Sequence, residues 1–150
     1  MWKLAINERL EHWRRLRSEM DRKEISQALE LAAEEWGRAP FTPYYLDYDR
    51  PETWPDPWTL IAENYYCDLA RALGLLYTIH LSRHGSEHDL RLRILKRPDD
   101  RSQYNLVIVD QGKYVLNFQD HEVVNIESTA KKNLLLLAEY TSDDLGLQRY

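Results

Sequence analysis

Two apolar periods divide the chain. Ile6, Leu10, Trp13, Leu16 and Met20 recur at helical spacing with Arg9, Arg14, Arg15 and Arg17 on the remaining faces, which predicts an amphipathic first helix from about residue 3 to 19. Asp21 and Glu24 have capping-box spacing ahead of the stripe Ile25, Ala28, Leu29, Ala32 and Trp36, and Gly37 suits a helix end, so a second helix is predicted over 22–36. Residues 1–37 then form a helical hairpin or bend sharply at Asp21. From 38 to 56 the period disappears: Pro40, Pro43, Pro51 and Pro55 alternate with Phe41, Tyr44, Tyr45, Tyr48 and Trp54, the pattern of an extended segment. Asp56 and Pro57 read as N-cap and first residue of a third helix, carried by Trp58, Ile61, Ala62, Tyr65, Leu69, Ala72 and Leu73 to Gly74. Its apolar residues cover most of the circumference, which predicts a central helix over 57–74.

The period then becomes two. Leu75, Tyr77, Ile79 and Leu81 predict a first strand, and Arg83 to His88 a polar turn. Leu90, Leu92 and Ile94 predict a second strand, and Tyr104, Leu106 and Ile108 a third. Asp110-Gln111-Gly112 is a hairpin signal before Tyr114, Leu116 and Phe118, and Val123 to Glu127 completes the sheet region over 75–127. Ser128 or Thr129 is suited to cap a C-terminal helix over 129–141, with Leu134, Leu135, Leu137 and Ala138 as its apolar face. The predicted fold is α+β within a single domain 1–150: N-terminal helices, a four- to five-stranded antiparallel meander and a C-terminal helix.

Composition narrows the class. Apolar runs such as Leu134 to Ala138 are too short to span a membrane, so no membrane partner is expected. Asn7, Glu8 and Arg9 interrupt any secretory apolar region near Met1, which predicts cytoplasmic synthesis. One cysteine, Cys67, excludes an internal disulfide and a thiolate-rich metal site within one chain. Five Trp and ten Tyr stand against two Phe, and every Trp lies in the first 58 residues. Such rings fill a helical core or, having a polar handle on an apolar body, anchor an interface. Tyr44, Tyr45, Tyr48, Trp54 and Trp58 are the candidate anchors.

Candidate chemistry is sparse. His80, His84 and His88 are spaced four apart, with Glu87 and Asp89 nearby. On a helix this spacing would align three imidazoles. In a strand and turn it predicts exposed turn histidines with His80 on a strand face, and no metal site. Arg91 and Arg93, with Lys96 and Arg97, mark a basic strand face, read as solvated or as an inter-subunit ion-pair surface in preference to a nucleic-acid site. No Gly-rich phosphate loop, G-x-S-x-G or H-E-x-x-H motif is present. A helix starting at Pro57 places Cys67 about three turns inside, where a cysteine is commonly a small buried hydrophobe.

Two resemblances add expectations. Cys67-Asp68-Leu69-Ala70-Arg71-Ala72-Leu73-Gly74-Leu75 resembles the cysteine-bearing helix of transglutaminase-like and papain-like enzymes. That likeness implies Cys67 as nucleophile with His121 as its base and Asn125 or Asp143 as the orienting group. Ala39-Pro40-Phe41 through Tyr48, Trp54-Pro55-Asp56-Pro57-Trp58 and Tyr66 through Thr78 resemble small virion proteins of contractile-tailed bacteriophages. This second likeness implies a non-enzymatic structural subunit without cofactor, located in a virion at the head–tail connection, tail or baseplate. Its partners would be other protein subunits, in several symmetric copies.

Overall fold

Helix α1 (Ile6–Asp21) and helix α2 (Ile25–Gly37) form the expected hairpin in a computed structural model that describes residues 1–150. Helix α1 buries Trp13 and Met20, and α2 buries Ala28, Leu29, Ala32, Ala33 and Trp36. The capping box at Asp21 does not form: Glu24 is the N-cap of α2 without a side-chain bond, and Asp21 Oδ1 instead accepts the Arg83 backbone N–H at 2.8 Å. Gly37 is the last residue of α2, and its missing Cβ makes room for the His121 ring, which a Cβ would meet at 2.5 Å.

The predicted helix over 57–74 is two helices. Helix α3 (Pro57–Glu63) starts as expected, with Asp56 Oδ1 accepting the Thr59 N–H at 2.8 Å. It stops where Asn64 takes a left-handed conformation, φ 58°. Two distant residues hold this break: Asn64 Nδ2 donates to the Trp2 carbonyl at 2.9 Å, and Arg9 donates to the last-turn carbonyl of Ile61 at 3.1 Å, placing a cation at the helix C-terminus. Tyr66 then bridges to the proline-rich segment, its N–H reaching the Pro40 carbonyl and its carbonyl receiving the Thr42 N–H. Backbone groups that would otherwise be orphaned are thereby paired.

Helix α4 (Asp68–His80) runs straight through Gly74, and this corrects the strand predicted from Leu75 to Leu81. Every residue from Leu69 to Ile79 is buried. A helix covered on all sides shows neither a 3.6 nor a 2.0 period clearly. Gly74 serves packing, since a Cβ there would lie 2.2 Å from the Trp36 ring. Trp13 and Trp36 both donate their indole N–H to Thr78 Oγ1 at 2.9 Å, and the Thr78 hydroxyl donates to the Gly74 carbonyl at 2.6 Å. One hydroxyl thus ties α1 and α2 to α4.

After the single turn α5 (His84–Glu87), the sheet is built from β1 (Leu90–Lys96), β2 (Gln103–Val109), β3 (Tyr114–Leu116), β4 (Val123–Val124) and β5 (Leu135–Thr141). It is antiparallel, in the order β4-β3-β2-β1-β5. The first four strands form the predicted meander. The fifth corrects the C-terminal helix: only α6 (Glu127–Ala130) is helical, and Asn133 at φ 52° turns the leucine run into a strand beside β1. Leu90, Leu92 and Ile94 of β1 and Val107 and Val109 of β2 face the helices in one main core. Leu106, Ile108 and Val115 form a second small cluster on the opposite face with Tyr104, Phe118 and Ile126.

Candidate functional site

The segment between α2 and α3 lies against its own molecule along one side. Trp54, one of the candidate anchors, belongs to the core: it is 9% exposed, donates to the Asp47 carbonyl at 2.9 Å and packs edge-on against Tyr140 of β5 at 5.3 Å. Tyr48 is half-buried, and its carbonyl accepts the Tyr140 hydroxyl at 2.8 Å. Tyr44 is half-buried edge-on to Tyr65 at 5.6 Å. The outward side is different. Phe41 is 60% and Tyr45 72% exposed, and Tyr65, Trp58 and Tyr150 are also open to solvent, with Trp58 edge-on to Tyr150 at 5.1 Å. Tyr44, Leu46, Pro55, Thr59 and Tyr65 line an open groove of about 520 Å³.

Cys67 sits behind the Tyr44 end of that groove. The break in the predicted helix moves it from mid-helix to the N-cap of α4. Helix N–H groups of Leu69 and Ala70 and the Tyr44 hydroxyl favour its thiolate, but burial outweighs them and pushes the thiol up from its ordinary value. No histidine is among the groups that chiefly act on it. His121 instead places Nδ1 3.4 Å from Glu34 of α2. Asn125 Oδ1 accepts the Ser128 N–H and hydroxyl, and Asp143 is exposed in the turn after β5. His121 and Asn125, named from the enzyme likeness, are therefore engaged elsewhere, and Asp143 stands in solvent.

A buried polar cluster at the start of α4 had no sequence signal beyond the two asparagines that interrupt apolar runs. Asp68 accepts from Asn105 Nδ2 of β2 at 2.8 Å, and Asn117, at φ 67° just past β3, donates to the Asn105 carbonyl at 2.9 Å. Arg71 donates to Asp120 at 2.8 Å and to the Ala39 carbonyl at 3.2 Å. The cluster joins α4, the central strand and the start of the proline-rich segment. Burial raises the Asp68 pKa despite the Asn105, Arg71 and Asn117 contacts that oppose the shift.

Arg91 and Arg93 are used within the chain. Arg91 pairs with Asp89 at 3.1 Å, and Arg93 pairs with Glu139 of β5 at 3.2 Å, its partner in register. The histidines also differ from expectation. His80 ends α4, with Nε2 2.9 Å from the Leu147 carbonyl. His84 is 1% exposed, and His88 is half-buried with Nδ1 2.8 Å from Asp110 Oδ2. No known protein-family model matches the chain, and no curated protein matches it. No helix is long and apolar enough to cross a membrane.

Proposed function

We propose that the chain is a non-enzymatic structural subunit that binds neighbouring protein through the aromatic side of residues 38–58 and α3. The assembly would be of the virion kind, head–tail connection, tail or baseplate, that the likeness of residues 39–78 implies. One observation carries the reading: residues 41–65 expose Phe41, Tyr45, Trp58 and Tyr65, the last lining a groove, on a segment whose backbone is already tied down by Tyr66 and Trp54. Covering such rings removes apolar area from water with little further ordering of the chain. Large rings of this kind are the residues that dominate interface energetics. The outer edge of β5, with Leu135 and Leu136 exposed, offers unpaired backbone groups to a second contact. Several symmetric copies would bury both surfaces.

A cysteine-enzyme reading has the N-cap position of Cys67 in its favour, where helix amides favour a thiolate. The burial of that thiol and the pairing of His121 with Glu34 weigh on the other side. Light scattering on the purified protein tests the proposal together with Phe41→Ser/Tyr45→Ser, which alters exposed rings only. The parent is expected to form a defined oligomer and the variant to stay folded and monomeric. A parent that remains monomeric at its highest soluble concentration, or a variant that assembles equally well, overturns it. Rapid alkylation of native Cys67 at neutral pH would shift the assignment to the enzyme reading.

A further inference from the structure

We propose that His84, Glu87 and His88 bind a divalent transition-metal ion of the zinc class. Helical spacing of His84 and His88 about the turn α5 brings the two imidazoles side by side, with ring centroids 5.8 Å apart. One donor atom from each of the three residues lies within 4.8 Å of the other two. Ligands at zinc distances in a tetrahedron lie roughly 3.3 Å apart, so the three donors would draw together when the ion binds.

The hydrogen-bond geometry favours a metal. His84 Nε2 faces the Met20 carbonyl at 2.9 Å, an acceptor, so Nε2 is the donor there and Nδ1 is the nitrogen left for a ligand. That Nδ1 is buried and has no hydrogen-bond partner, although His84 is 1% exposed. A buried nitrogen lone pair without a partner is costly and calls for an explanation. His88 Nδ1 donates to Asp110 Oδ2 at 2.8 Å, leaving the Nε2 lone pair as the free one. A carboxylate holding the far nitrogen in this way is the usual outer support of a metal-bound histidine.

The surroundings fix the turn that carries the donors. Arg83 donates to Glu87 Oε2 at 2.8 Å, leaving Oε1 free, and is itself fixed by the Asp21 and Lys23 carbonyls at the end of α1. Gly85 lets the turn close against α4, since a Cβ there would lie 2.1 Å from the His80 carbonyl oxygen. Two imidazoles and one carboxylate suit zinc, cobalt or nickel; calcium and magnesium favour all-oxygen sets. Three protein donors leave a fourth position for water or for a group from a bound neighbour. The ion would clamp α5 at its contacts with the end of α1 and with the β2–β3 hairpin.

The test uses tag-free, chelator-stripped protein titrated with Zn²⁺ by calorimetry and with Co²⁺ by visible absorption. One ion per chain is expected, with tetrahedral Co²⁺ bands and a Tm rise of about 5–10 °C at a hundredfold excess over Kd. Asp110→Asn, which keeps all three donors, is expected to lower affinity about 10–100-fold. His88→Gln and Glu87→Gln, each of which removes a donor, should lower it further, whereas His121→Ala should leave it unchanged. His84 is buried, so the site is judged from these less disruptive variants. No stoichiometric binding, binding unchanged in His88→Gln, or binding lost in His121→Ala would overturn the proposal.

Discussion

Thr78 shows how much one hydroxyl can organise. Its Oγ1 accepts from two buried indoles, and neither Trp13 nor Trp36 has another acceptor for its N–H. Thr78→Val preserves shape but strands both donors, each at about 1–3 kcal/mol. The expected loss is about 2–6 kcal/mol in denaturant unfolding, with Thr78→Ser close to the parent. Trp13 and Trp36 were visible as members of apolar helix stripes; Thr78 and the convergence of all three were not. Nothing local relates positions 13, 36 and 78, and only the packing of α1 and α2 on α4 brings them together. The same holds for Asp68, Asn105 and Asn117, three residues from three elements.

At the scale of elements, the proline-rich segment has a clear inner and outer side. The sequence pattern marked it as extended and ring-laden but carried no information on which ring turned inward. Trp54 packs inward on Tyr140 while Tyr45, nine residues earlier, stands in solvent. Trp54→Ala is therefore expected to cost the isolated protein about 3 kcal/mol, the low end for a buried tryptophan because Trp54 sits at the core margin. Equilibrium unfolding of the isolated chain measures this, and a change below about 0.5 kcal/mol would return Trp54 to the surface. The elements read with the wrong period have a shared cause. Residues 75–80 continue α4 with every face covered through Ile79, and the leucine run before Glu139 has no alternation at all. Elements with one wet face, such as α1, α2 and β1, kept their period and were legible.

For the whole molecule, Asp68 couples the core to pH. Burial raises its folded pKa above the ordinary value of 3.8. Between the unfolded and folded values the folded state holds more protons, so its stability contribution falls as pH rises through that window. Asp68→Asn keeps an acceptor for Asn105 and removes the charge. A flatter profile of Tm against pH from about pH 4 upward is expected, with the variant the more stable at neutral pH. An unchanged profile would mean that the Asn105 and Arg71 contacts fully offset the burial of Asp68.

By itself, the sequence determined the α+β class, the helical hairpin, the meander from β1 to β4 and an aromatic segment between helices. Each rests on local physics: turn residues, caps, and a periodicity that survives wherever water touches one face. Tertiary structure alone decided that α4 passes through Gly74, that Cys67 caps a helix and that the leucine run becomes β5. It also decided that His84 and His88 share a turn with Glu87. These outcomes depend on partners remote in sequence: the Trp36 ring over Gly74, the Trp2 carbonyl at Asn64, the open edge of β1 and the Met20 carbonyl on His84. Pairing of this kind is set by which surfaces meet when the chain closes, and no local periodicity encodes it.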